Sequence, residues 1–113
     1  MHEYAIVQAL LDRVEAEARG RGALAVHRLR VRVGELAGLD ADLFATAFAT
    51  FRAGTACAGA ALDVERVPAR WACPRCRRPI APGAVLRCAD CATPARLEQG
   101  DEIVLDTIDL EVP

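Results

Sequence analysis

The chain has 113 residues, enough for one small core or for a small domain that carries a metal-stabilised insert. Hydrophobic residues make up 53% and no apolar run approaches the ~20 residues that cross a bilayer, so a membrane span is excluded and a soluble, cytoplasmic protein is expected. A net charge of −2 argues against a dedicated nucleic-acid binder, and the 14 basic residues, all arginine, read as bacterial base bias rather than as function.

The first residues, MHEYAIVQAL, lack the basic patch, apolar stretch and cleavage site of a secretory signal, so the terminus is expected to persist as written. Ile6, Leu10 and Val14 stand four apart with Val7 and Leu11 beside them, while Asp12, Arg13, Glu15, Glu17 and Arg19 take the other side. This pattern predicts an amphipathic helix over residues 4–19, stopped by Gly20 and Gly22.

From His27 the period changes to two. His27, Leu29, Val31 and Val33 alternate with Arg28, Arg30 and Arg32, which predicts a strand with one apolar and one wet face. His27 is expected to be a partly buried structural residue. The arginine row reads as a solvated face before it reads as an RNA surface. GELAGLD, residues 34–40, is a loop by its glycines, and Asp40 stands where an N-cap would open a second helix. In that helix Phe44, Phe48 and Phe51 form a stripe expected in the core. Gly54 and Gly59 break it, and LDVERV with the following PARWA reads as a strand leading to the first cysteine pair. The chain returns as EIVLDTIDLEV, where Ile103 and Leu105 are out of phase with Ile108, Leu110 and Val112, so a bulge is expected near Asp106 and Thr107.

The fold expected is α+β, a small three-stranded sheet with two helices packed on it, interrupted by a zinc-ribbon insert. Residues 1–70 and 99–113 would form the α/β domain and residues 71–98 the ribbon.

CPRC at 73–76 and CADC at 88–91 are separated by eleven residues. Two residues between cysteines let both sulfurs turn onto one ion, and two such pairs complete a tetrahedral shell from Cys73, Cys76, Cys88 and Cys91. Structural zinc is the favoured occupant, ahead of a rubredoxin-type iron centre, redox dithiols or labile disulfides. Trp71, Ile80, Val85 and Leu86 are among the segment's few large apolar residues, too few to fold it without metal. Cys57, alone among small residues, is expected to be buried packing. The insert also carries Arg75, Arg77, Arg78, Arg87 and Arg96 against Asp90 and Glu98, which keeps a zinc-ribbon nucleic-acid module as the alternative function.

At the terminus, the Met1 amine, the His2 amide and the His2 imidazole can close two fused chelate rings on one ion. Ni(II) and Cu(II) favour square-planar nitrogen ligands strongly enough to displace the amide proton. Initiator methionine is removed before small residues, so His2 keeps Met1 in place. A cation here faces the positive end of the helix dipole, a cost of about 0.3–1 kcal/mol, so anionic support is needed from the amide, from Glu3 and from Asp40. Taken alone, the triplet reads more readily as a solvated helix start.

MHE at the start, VRVGEL followed by LDADLFATAF, GAALDVERVP, two CxxC pairs and a closing GDEIVLDTIDLEV together resemble the HypA-type hydrogenase nickel-insertion family over essentially the whole chain. The resemblance implies a metallochaperone and not an enzyme: a nickel-binding α/β domain with a zinc ribbon that helps deliver Ni(II) to the large subunit of [NiFe]-hydrogenase. It implies transient Ni(II) and structural Zn(II), a nickel-handling maturation GTPase of the HypB type as partner, and in some members a link to urease maturation. His2 falls on the essential nickel ligand with Met1 and Glu3 beside it and Asp40 as a nickel neighbour, and the four cysteines fall on the zinc positions. The second knuckle departs by lacking the commoner proline, and the eleven-residue spacer is short.

Overall fold

A computed structural model describes residues 2–81, 83 and 85–113, the side chain of His2 excepted. The first helix, α1 (His2–Gly20), starts earlier than the apolar pattern requires because its buried stripe begins at Glu3 and continues through Val7, Leu10, Leu11, Val14 and Ala18. Ile6, expected on that face, is half-buried at its margin. The helix ends in a Schellman motif. Gly22 adopts φ 61°, its N–H donates to the Arg19 carbonyl, and the Ala23 N–H reaches the Ala18 carbonyl.

Strand β1 (Ala25–Gly34) buries Val26, Leu29, Val31 and Val33. His27 is not half-buried as expected. Burial changes phase between Val26 and Leu29, which leaves His27 and Arg28 both outside, and the His27 Nε2 meets the Glu111 carboxylate at 2.8 Å. The arginine face is wet, with Arg28 pairing with Asp63 and Arg32 lying 3.8 Å from Glu65.

Helix α2 (Ala41–Phe51) opens on Asp40, whose carboxylate accepts from the amides of Asp42 and Leu43 at 2.9 and 3.1 Å. Phe44 and Phe48 are buried against the α1 side of the core, whereas Phe51 is 36% exposed and meets the ring of Tyr4 edge-on. The stripe therefore runs out of the core at its last turn. Cys57 is fully buried beyond α2, in a turn tied to α1 by the Ala56 N–H donating to the Glu15 carboxylate at 2.7 Å.

β2 (Ala61–Val67) and β6 (Ile103–Glu111) flank β1, giving a three-stranded sheet of order β2-β1-β6. Burial along β6 skips a residue across Asp106 and Thr107, where the phase break was expected. PARWA does not prolong β2. The chain turns at Pro68 and starts β3 (Arg70–Ala72), which pairs antiparallel with β4 (Pro79–Ile80) and β5 (Arg96–Gln99) in a second sheet of order β4-β3-β5.

The chain forms two compact units. One comprises Met1–Arg32, Leu39–Glu65 and Val104–Pro113, and the other Val33–Gly38 and Arg66–Ile103. The first holds α1, α2 and the apolar core, in which the fully buried Phe44, Leu29, Val7 and Val14 each contribute about 1.5–3 kcal/mol. In the second, Gly34, Gly100 and Ala69 bring three backbone segments into contact. A Cβ on Gly34 would stand 2.3 Å from the Gly100 carbonyl, and Gly100 itself holds φ 109° with Ala69 Cα 2.6 Å from where its Cβ would be. Among the described residues no helix is long and apolar enough to cross a membrane.

Candidate metal centre

Cys73, Cys76, Cys88 and Cys91 present sulfurs that all lie within 4.8 Å of one another. The Cys76 and Cys88 sulfurs are 3.8 Å apart. A disulfide needs about 2.05 Å. A tetrahedron with metal–sulfur bonds of ~2.3 Å has edges of about 3.8 Å, so the spacing suits a four-thiolate ion.

Two knuckles of the same design create this geometry. In the first, the Arg77 N–H donates to the Cys73 carbonyl and the Cys73 N–H to the Arg78 carbonyl. In the second, the Ala92 N–H donates to the Cys88 carbonyl and the Cys88 N–H to the Thr93 carbonyl. The loop amides turn inward onto sulfur: Arg75 and Cys76 donate to Cys73 Sγ at 3.4 and 3.5 Å, and Cys91 donates to Cys88 Sγ at 3.4 Å. Closing each turn requires a left-handed residue directly after its second cysteine, and these are Arg77 (φ 64°) and Ala92 (φ 52°). Neither is glycine, and each such residue costs on the order of 1–2 kcal/mol. Arg78 pairs with Asp90, tying one knuckle to the other.

The protonation chemistry of the cluster suits a cation. The Cys76 amide, foremost, with the Arg75 amide, draws Cys73 down to about 6, so this sulfur ionises readily. Cys91 is pushed up to about 12, first by burial and then by its hydrogen bonds to the other three sulfurs. Four thiols this close cannot all deprotonate on their own, whereas an ion bound among them stabilises every thiolate. Cys73 and Cys88 are buried, Cys91 is half-buried and Cys76 is exposed. The remainder of this unit offers little apolar core of its own, since Val85 is 80% exposed and Leu86 40%.

At the other candidate site, Met1 and the His2 imidazole lie outside the described residues. Glu3 is described and is 6% exposed in the first turn of α1. Its Oε2 accepts the backbone N–H of Asp40 at 2.9 Å. That bond, ahead of the other influences on the carboxylate, lowers its pKa from the ordinary 4.5 to about 2. The two residues lie 37 apart in sequence, and the contact joins the start of α1 to the start of α2. Asp40 therefore acts twice, capping α2 with its side chain and holding Glu3 with its amide. Sequence reasoning saw Glu3 as a ligand or a helix-start residue. Its place on the buried stripe was readable, since it stands four residues before Val7. Nothing in the sequence marked the Asp40 amide or the Arg78–Asp90 pair.

The fold and the cysteine cluster define the class: a small α+β protein with a four-thiolate metal ribbon. The family described as hydrogenase/urease nickel incorporation, metallochaperone, HypA matches residues 1–110, and the chain belongs to that family. A relative from Nitrosospira multiformis, a hydrogenase maturation factor HypA, is 35% identical with 97% of each chain covered. One of the same name from Deinococcus radiodurans is 40% identical over 93% of this chain and 89% of its own. The solution structure of the Ni metallochaperone HypA from Helicobacter pylori superposes with a TM-score of 0.73 at 29% identity over 98% of both chains. A second solution structure, of a HypA protein, gives 0.81 at 30% identity over 100% of this chain and 98% of its own.

Proposed function

We propose that the protein is a nickel carrier for hydrogenase maturation: it takes Ni(II) as cargo at its N-terminus and holds Zn(II) permanently in the ribbon. The observation that carries the nickel reading is the buried, ionised Glu3 clamped by Asp40 directly after His2, in a chain of this family. With its pKa near 2, Glu3 keeps a negative charge at every physiological pH. It thereby offsets the repulsion between a bound cation and the positive helix terminus. The Met1 amine, the His2 amide and the His2 imidazole would supply planar nitrogen ligands. Asp40 would be a neighbour that positions Glu3, since its carboxylate already caps α2.

Terminal ligands can be displaced one at a time by an acceptor, whereas a closed thiolate shell cannot. The proposed task is therefore transfer and not catalysis. The acceptor would be the [NiFe]-hydrogenase large subunit, reached with a HypB-type GTPase and, in some settings, urease maturation proteins. The work would occur in the cytoplasm, where thiols remain reduced. Zinc, held by Cys73, Cys76, Cys88 and Cys91, would supply folding energy to the ribbon.

The nucleic-acid alternative is less favoured, because Arg28, Arg32 and Arg78 are already paired with carboxylates. The test is a tag-free protein compared with one extended by a single Gly-Ser ahead of Met1. The extension should weaken Ni(II) binding at least about tenfold and leave zinc content unchanged. Equal nickel affinity in the two forms would refute the amine-anchored site.

A further inference from the structure

β6 is the last strand in the sheet order β2-β1-β6, so β1 pairs with only one of its sides. Glu111 turns its carbonyl to that side, towards the Leu24 N–H that leads into β1. Alternate residues of a strand aim their backbone groups at opposite sides, so Ile108 and Leu110 present theirs outward, where among the described residues no strand receives them. Beside them runs a groove of about 530 Å³, floored by the half-buried Leu105, Ile108 and Leu110 of β6 and walled by Arg13, Glu17 and Arg21 of α1. No residue of β1 lines it, so the groove follows the open side. Asp109 and Glu111 alternate with the groove residues and belong to the opposite, exposed face, where Glu111 meets His27.

We infer that the open side of β6 docks an extended segment of a partner protein in which apolar residues alternate with arginine or lysine. The unpaired backbone selects a strand: an added segment takes the outward N–H and C=O groups of Ile108 and Leu110 and continues the sheet. Its inward side chains lie on Leu105, Ile108 and Leu110, which selects apolar residues at every second position. Charge selects the rest. Between Val104 and Pro113 stand Asp106, Asp109 and Glu111 and no basic residue. Asp106 has no ion pair among the described residues, and Arg28, the cation that Asp109 attracts, is already bonded to Asp63. The β1 arginines stand one strand further in, about 10 Å from an added strand. A second copy adding its own β6 fits poorly, because it sets these three carboxylates against the same three. Docking at this edge requires neither nickel at the terminus nor any cysteine.

The probe is a short blocked peptide alternating valine with arginine, labelled with a fluorophore and added to the zinc-loaded, full-length protein. Its anisotropy should rise and saturate, and amide hydrogen exchange should slow at Ile108 and Leu110. Asp109→Lys should weaken binding at least about tenfold, whereas Asp42→Lys on α2, outside the groove, should leave it unchanged. If Asp109→Lys lowers the zinc content or the helical far-UV signal, Asp109→Asn replaces it and should give a smaller loss of the same sign. A probe methylated at every backbone nitrogen keeps its charge but has no donors, and it should not bind. Equal binding of the methylated peptide, or of one with glutamate in place of arginine, would overturn the assignment. So would failure of the arginine peptide to bind, or slowed exchange at Ile108 and Leu110 that grows with protein concentration alone, the mark of a second copy.

Discussion

At Glu3 a single amide decides the state of a carboxylate. Because its pKa is lowered from 4.5 to about 2, the Asp40 contact stabilises the fold fully above pH 4.5 and is lost as pH falls through about 2. Thermal melts of wild type and Glu3→Gln should therefore differ most near neutrality and converge at about pH 2. A difference that persists there would mean that the charge is not what matters. Asp40→Ala removes the α2 cap and should cost about 0.5–2 kcal/mol in denaturant unfolding, with Asp40→Asn retaining most of the stability. At Ala92, a β-branched residue cannot readily hold φ 52°, so Ala92→Val should lose about 1–3 kcal/mol, read as weaker zinc retention against a chelator. These effects were only partly legible in the sequence. The two CxxC pairs marked the cysteines that cluster, because their spacing is a local property of the chain. The left-handed residues after them carry no glycine to betray them, and the Glu3–Asp40 bond depends on the tertiary packing of α1 against α2.

Among the elements, pattern reading succeeded where burial follows one period and failed where the period shifts. The break in β6 was readable because apolar residues stand on both sides of Asp106 and Thr107. The equivalent break in β1 was not, since His27 can sit on either face, and it goes outward to Glu111. Phe51 obeys the helix period yet leaves the core, because the stripe runs out at the last turn of α2, where its ring meets the exposed Tyr4 of α1 edge-on. PARWA looked continuous with the preceding strand, and Pro68 ended it. The end of β1 makes a sharper demand. Gly34→Ala places a methyl group into the Gly100 backbone, which cannot move aside as a flexible side chain would. Chemical denaturation should show a loss of about 1–3 kcal/mol; an unchanged midpoint would mean that the three segments are not in close contact.

For the molecule as a whole, the two units rely on different sources of stability. The unit with α1 and α2 has an apolar core centred on Phe44, Leu29, Val7 and Val14, whereas the ribbon buries little beyond Ala72, Cys73 and Cys88. Removing zinc with a strong chelator should therefore red-shift Trp71 emission while most of the helical far-UV signal remains. In the proposed function, nickel cargo and resident zinc occupy separate sites. Elemental analysis of tag-free protein equilibrated with Ni(II), wild type against His2→Ala, tests it most directly. His2→Ala should lose the bound nickel and keep its zinc. Nickel retained at wild-type affinity, or zinc lost together with it, would contradict it.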